Sequence, residues 1–350
     1  MTAPSATHPG LRATRDVDLT SRNSLRLSAR TDLLVEVLDS VALVDALHAF
    51  GRPRAVLGGG SNVVLRGDIE GPVYRVLGQD FGSQTNDDGS IQISADAGIE
   101  WDALVDRCIA VGAHGIENLA LIPGLAGAAP MQNIGAYGVE LAESILQVEA
   151  FDLDSMQPRM LSAAECAFGY RDSRFKREAG RWLVTRVHLR LARVFEPRLG
   201  YSGLADELGE ARSDVHSAQQ VADAVRRIRR RKLPDPSTCP NAGSFFKNPT
   251  VALTRATALR ERWPTLPIYP LANGQAKLSA AWMIEACGLK GERVGDAAIS
   301  PQHALVVINH GAATAQDVLA LQARVETAVR EAFAVTLERE PVLIESTVPA

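Results

Sequence analysis

The chain is poor in the residues that staple or metallate a small fold. Its four cysteines, Cys108, Cys166, Cys239 and Cys287, are widely spaced and form no CxxC pair. That excludes a disulfide scaffold and points to reduced thiols in a cytoplasmic protein. None of the seven histidines stands at HxxxH spacing, so no metal site is expected. No apolar run approaches the roughly 20 residues that span a bilayer. Neither sign of charge dominates: the formal net charge is −4, which removes the electrostatic case for nucleic acid as the main partner. Residues 1–20 mix Ser, Thr, Arg and Asp without an apolar stretch and read as a disordered tail, not a signal peptide. What remains is 46% hydrophobic and 22% charged, the composition of a soluble globular protein. A chain of 350 residues suggests about two domains.

Against that background several stretches stand out. Asn241-Ala242-Gly243-Ser244-Phe245-Phe246-Lys247-Asn248-Pro249 combines small residues that turn tightly, two rings that exclude water, and three polar groups at the dry edge. An ordinary turn before a strand, with a Phe pair in the core, is the bland alternative. Upstream, Gly58-Gly59-Gly60-Ser61-Asn62 removes Cβ atoms and exposes consecutive N–H groups, which suits a pyrophosphate. A Rossmann or P-loop fingerprint would continue into a helix. Here Val63-Val64-Leu65 follows, so the motif is neither, and a glycine-rich hairpin is the alternative. The segment Ile122–Gly138 reads as a long loop with little bulk in its first half. Such a loop is rarely mere connection, and backbone without side chains suits a flat cofactor.

Periodicity places these stretches on elements. Strands are expected at Leu33–Leu38, Ile91–Ala95, Gln147–Leu153 and Trp182–Leu191, with amphipathic helices from Val41, Trp101, Val221, Ala280 and Thr314. A final strand is expected over Val335–Ile344, with Glu338 and Glu340 on one face. Tyr170-Arg171-Asp172 reads either as a surface ion pair or as a planar cation set in a site. Six of the seven residues Arg226–Lys232 are cationic. That run reads as a solvated face, a nucleic-acid patch, or a seat for a local anion such as a substrate diphosphate.

Taken in order, Gly58–Asn62, Ile122–Gly138, Phe168–Ser173, Lys232–Pro236, Asn241–Pro249 and Glu340 resemble the UDP-N-acetylenolpyruvoylglucosamine reductases, over nearly the whole chain. The resemblance implies an α+β fold: a vanillyl-alcohol-oxidase-type FAD-binding fold in two parts, 21–79 and 80–229, after the 1–20 tail, and a substrate-binding domain over 230–350. It implies non-covalent FAD, with Gly58, Gly59, Gly60, Ser61, Asn62, Pro123, Gly124, Gly127, Ala128 and Ala129 near the pyrophosphate and Ile134 and Gly135 near the flavin. NADPH is the implied co-substrate and UDP-N-acetylglucosamine enolpyruvate the substrate, held by Tyr170, Tyr201, Lys232, Asn248, Tyr269 and Lys277.

In the implied reaction the flavin gives hydride to C3 of the enolpyruvyl group and Ser244 gives the proton to C2. Arg171 offsets the developing charge, and Glu340 orients or relays the proton. The implied protein is a cytoplasmic monomer without nucleic-acid or membrane partners. Three departures from the family pattern bear on this. Ala128-Ala129 replaces hydroxyl residues, Arg339 and Pro341 flank Glu340, and His114 is read as structural and not as a flavin attachment. An oxidase of the same fold and a non-catalytic nucleotide-binding module are the alternative functions.

Overall fold

The computed structural model describes residues 9–209, 215 and 217–345. The chain divides into two compact units. One comprises residues 1–17, 30–60 and 69–231, the other 18–29, 61–68 and 232–350. Each is discontinuous in sequence, so neither boundary is visible as a linker.

The first unit holds two sheets. In the smaller, strands Leu11–Asp18, Arg30–Val37, Ile69–Val76 and Ala55–Val56 lie in that order, and Arg30–Val37 and Ala55–Val56 both run parallel to Ile69–Val76. Helix Leu43–Phe50 is the crossover between Arg30–Val37 and Ala55–Val56, which run parallel on either side of Ile69–Val76. Its buried Leu43, Ala46 and Leu47 pack on Val35, Val37 and Tyr74. The Tyr74 hydroxyl donates to Ala46 O at 2.9 Å and Gly51 O at 2.8 Å, and burial raises its pKa.

The larger sheet orders Gln157–Ser162, Ile145–Asp152, Trp182–Leu191, Ile91–Asp96 and Phe81–Thr85, all antiparallel. Ile91, Ile93, Val148, Val187 and Leu189 face helices Trp101–Ala110 and Ala218–Lys232. Burying each such side chain stabilises by about 1.5–3 kcal/mol. Arg226, 7% exposed, ties the two helices together through Asp102 at 2.9 Å and Asp106 at 2.6 Å.

The second unit centres on the antiparallel strands Asn241–Ser244, Val306–Asn309, Ala297–Ile299 and Arg293–Val294. Helix Ala315–Phe333 packs Val318, Leu321, Val325 and Val329 into that core. Thr314 and Asp317 cap it reciprocally, as their spacing implies. A three-stranded sheet adds Thr250–Ala252, Gln275–Leu278 and Ile268–Pro270. Two earlier pieces of chain are woven in: Asn309 donates to Leu25 O at 2.9 Å, and Val63–Leu65 pairs parallel with Val342–Ile344.

Four expectations change. The tail expected over 1–20 lies outside the described residues up to residue 8, but Leu11–Asp18 is a strand. Its mostly exposed side chains gave no apolar signal; sheet pairing supplies the order. The Gly58–Asn62 stretch is no hairpin, because the strands on either side of it pair elsewhere. The long loop Ile122–Gly138 contains a short helix, Ala126–Gln132, whose Ala and Gly residues carry no period to read. The final strand is only Val342–Ile344, preceded by one bridge at Arg339. Pro341 has no N–H to continue the ladder.

Candidate active site

In the first unit the two small-residue segments meet. A Cβ added to Gly59 would lie 3.1 Å from Gly124 Cα, and one on Gly58 would lie 3.3 Å from Ala128 Cβ. The N–H groups of Gly58 and Gly59 donate to no protein group among the described residues. Those of Ala126, Gly127 and Ala128 are committed to Ile99 O, Ala97 O and Leu125 O at 2.8, 2.9 and 2.9 Å. The glycine loop therefore supplies open donors, and the 124–128 turn supplies a bare floor beneath it. This cradle, which added side chains would fill, fits a pyrophosphate. Ala129 and Ile134 are buried, while Ser61 and Asn62 belong to the second unit, where Asn62 O accepts from Val342 N–H at 3.0 Å.

Arg171 sits beside the same segment. Its guanidinium donates to Asn133 O at 3.3 Å and to Gly135 O. A methyl on Gly135 would lie 2.9 Å from Arg171 Nη1 and 3.0 Å from Val139 O, so the guanidinium sits close against the glycine. The backbone at Arg171 is left-handed, φ 51°, a strained setting that clusters at functional sites. Asn133, also left-handed at φ 45°, is pinned by Glu140 at 2.9 Å and Gly169 O at 3.0 Å. The ion pair open in the sequence does not form between neighbours: Asp172 pairs with Arg177. Arg171 Cζ instead lies 5.4 Å from the centroid of the Tyr170 ring.

Three of the six cations in the basic run are paired with carboxylates. Arg226 goes to Asp102 and Asp106, while Arg227 and Arg231 go to Glu207 at 3.0 and 2.8 Å. Arg229 alone points its Nε to Leu121 O at 3.1 Å. Burial pushes its pKa down; Tyr137 and Asp102 favour its charge and Arg171 opposes it. Burial likewise raises the Tyr137 phenol, with Arg229 opposing. The Tyr137 ring meets Tyr201 edge-on at 5.2 Å. Arg229 and Tyr137 were not singled out from the sequence. The basic run was legible, but not which of its members faces inward. His114 packs edge-on against Phe195 at 5.6 Å.

In the second unit Ser244 ends a strand opposite Val306, and the register shifts between Asn241 and Ser244. Gly243, at φ 69°, makes that bulge, for which glycine is the usual residue. Ser244 is half-buried, and its hydroxyl has no hydrogen-bond partner among the described residues. Phe245 N–H donates to Leu305 O at 2.7 Å, and Phe245 O accepts from Glu340 N–H at 2.9 Å. That bond ties the backbone of Glu340 to the residue after the serine. Lys247 N–H to Glu338 O at 2.9 Å continues the contact. Phe245 and Phe246, both fully buried, meet edge-on at 5.3 Å and dry the strand's inner side. Arg339 turns away, its Nη1 on Gln322 Oε1 at 3.1 Å and its Nε on Pro341 O at 3.0 Å.

Two expected substrate residues lie on the small sheet of the same unit, and a third, Asn248, just precedes its strand Thr250–Ala252. Lys277 stands opposite both Thr250 and Tyr269, and Asn248 Oδ1 accepts from Ala280 N–H at 3.0 Å. Tyr269 is 51% exposed, available to a ligand. Lys232 is exposed at the end of its helix. His303, missed in the sequence as a lone histidine, feels Lys232: burial first, then Lys232 and Lys290, push its pKa down. Its Nδ1 accepts from Leu305 N–H at 3.3 Å. Arg171, Tyr170 and Tyr201 thus belong to the first unit, and Ser244, Glu340, Lys232, Asn248, Tyr269 and Lys277 to the second. Among the described residues no cluster of His, Cys, Asp and Glu could hold a metal, and no helix is long and apolar enough to cross a membrane.

Comparison with known proteins defines the class first. Residues 35–156 match the family described as FAD binding domain, so the chain carries a flavin-binding domain over the parallel sheet and the cradle. Residues 235–344 match the C-terminal domain of UDP-N-acetylenolpyruvoylglucosamine reductase. A relative of that name from Xanthomonas euvesicatoria pv. vesicatoria is 45% identical, covering 97% of this chain and 98% of its own. One from Chromobacterium violaceum is 45% identical over 94% and 98%. The crystal structure of the Thermus caldophilus enzyme is 27% identical, covers 95% and 99%, and superposes with a TM-score of 0.67. The chain belongs to the UDP-N-acetylenolpyruvoylglucosamine reductase family. The expected α+β fold with an FAD-binding part is borne out.

Proposed function

We propose that this chain reduces UDP-N-acetylglucosamine enolpyruvate to UDP-N-acetylmuramate, with NADPH as reductant and FAD as carrier, in peptidoglycan precursor synthesis. It does so as a cytoplasmic monomer acting on small molecules. FAD bound there would supply the hydride chemistry between NADPH and the enolpyruvyl group. The chain's own residues supply binding, charge and the proton.

One observation supports the assignment of roles: Glu340 N–H bonds Phe245 O at 2.9 Å, which ties the backbone at Glu340 to the residue after Ser244, a serine whose hydroxyl has no partner among the described residues. Ser244 donates its proton to substrate C2, and Glu340 orients or relays it. A hydroxyl is a weak acid, so the step needs a fixed cation where negative charge develops. Arg171, gripped by two carbonyl groups, has that rigidity. The Gly58–Asn62 loop and the Pro123–Ala129 floor would hold the cofactor's phosphates, and Ile134 and Gly135 would lie toward its flavin. Lys232, Asn248, Tyr269 and Lys277, with Tyr170 and Tyr201, bind the nucleotide substrate.

The test is a spectrum taken after each addition. Purified protein is expected to be yellow, to bleach anaerobically with NADPH, and to regain colour with the enolpyruvyl substrate. Recolouring by oxygen but not by that substrate would make the protein an oxidase. Protein that stays colourless with excess FAD would sink the proposal.

A further inference from the structure

An ion pair between buried Glu36 and half-buried Arg75 lies under the glycine loop and has no part in the roles above. Parallel strands Arg30–Val37 and Ile69–Val76 set Glu36 opposite Arg75. Glu36 is 5% exposed, and Arg75 Nη1 donates to its Oε1 at 3.0 Å. The exposed Arg12 reaches Oε2 at 3.4 Å. Withdrawing such a pair from water costs more than an apolar pair of equal volume, so support of the sheet alone is a weak reason for it.

The pair has another partner. Arg75 Nη2 donates to Gly58 O at 3.3 Å. Ala55 and Val56 pair with Val73 and Tyr74, and Leu57 N–H still reaches Tyr74 O at 2.9 Å. At Gly58 the chain leaves the sheet, and the guanidinium takes the first carbonyl beyond the ladder. In a trans peptide the carbonyl and the following N–H point to opposite sides. Fixing Gly58 O toward Arg75 therefore turns Gly59 N–H away from the sheet, and that N–H donates to no protein group among the described residues.

We infer that Arg75, held by Glu36, is a positioning residue for the phosphates of the cofactor: it orients the Gly58–Gly59 peptide and places a cation behind the loop. The inference rests on the proposed role of Gly58–Asn62 as the phosphate loop. Neither side chain touches the reacting atoms.

The test compares full-length wild type, Arg75→Met, Arg75→Lys and Glu36→Gln. FAD release from the diluted holoprotein is followed by flavin fluorescence, and flavin-stripped protein is titrated with FAD and with riboflavin, which has no phosphate. Arg75→Met is expected to weaken FAD roughly 10- to 100-fold, the scale of a hydrogen bond to a charged group, while riboflavin binds as it does to wild type. The salt dependence of FAD binding should flatten with it. Arg75→Lys restores part of the loss, and Glu36→Gln shifts FAD in the same direction. Equal losses for FAD and riboflavin would make the pair a sheet support and overturn the inference, and so would an unchanged FAD affinity. Should Arg75→Met not fold, Arg75→Lys and Glu36→Gln carry the same comparison. Gly59→Ala tests the loop separately, since its methyl would lie 3.1 Å from Gly124 Cα. Unchanged FAD affinity in Gly59→Ala would overturn the loop assignment itself, whatever Arg75 does.

Discussion

Replacing Ser244 by alanine should separate the proton from the hydride. The hydroxyl is half-buried and has no hydrogen-bond partner among the described residues, so its removal strands no buried group and opens no sealed cavity. The strand is held by backbone, through Ser244 opposite Val306 and Phe245 N–H on Leu305 O at 2.7 Å. Stability should therefore change by no more than about 0.5 kcal/mol. A positioned proton donor is worth roughly 100- to 10,000-fold in rate, which is about 3–5 kcal/mol of barrier. The assay is anaerobic stopped-flow absorbance with the two half-reactions measured apart. Bleaching by NADPH should keep its wild-type rate, and recolouring by the enolpyruvyl substrate should slow by that factor. Equal slowing of both halves, or a large drop in melting temperature, would show that the serine acts through structure and not as the donor.

Two further outcomes follow from the geometry. Gly127→Ala puts a methyl 2.5 Å from Ala97 Cβ and 3.0 Å from Ala97 Cα, backbone that cannot swing aside. Such overpacking costs about 1–3 kcal/mol, and calorimetry should show a lower melting temperature together with looser FAD; an unchanged melting temperature would mean the turn has slack. For His303, folding depresses the pKa below its ordinary 6.5. The unfolded chain then binds the proton more readily, so this histidine's contribution is whole above pH 6.5 and is lost as pH falls toward the depressed folded value. Melting temperatures of wild type and His303→Gln should diverge below that pH, with wild type losing more; parallel curves would refute the linkage.

Much of the local structure was legible. Trp182–Leu191 is a strand over its expected length, because its β-branched and aromatic run pairs on both sides. Ser279 caps its helix through Trp282 N–H at 3.2 Å, as Ser before an apolar period implies. The cradle was half legible. Three glycines announce an open backbone, but nothing local says that Gly124 and Ala128 complete it from another part of the chain. The proposed pairing of Ser244 with Glu340 was less so. Resemblance named Ser244 and Glu340, yet alternation along an expected strand put Glu340 only on one face with Glu338. Its place depends on one hydrogen bond to Phe245 O, a partner remote in sequence.

The sequence by itself determined the alphabet of the site and the order of its elements: bare glycines, a phenylalanine pair, a serine, an arginine flanked by turn residues. These are local properties, set by backbone freedom, side-chain volume and the repeat of apolar positions. Only the tertiary structure decided which charges meet. Among seven consecutive positions rich in arginine, it sends Arg226, Arg227 and Arg231 to carboxylates and Arg229 inward to Leu121 O. It also joins Val63–Leu65 to Val342–Ile344. Periodicity specifies a face and not a partner. Where a charge or a peptide group finds its counterpart depends on which distant segment desolvates it, and topology alone sets that.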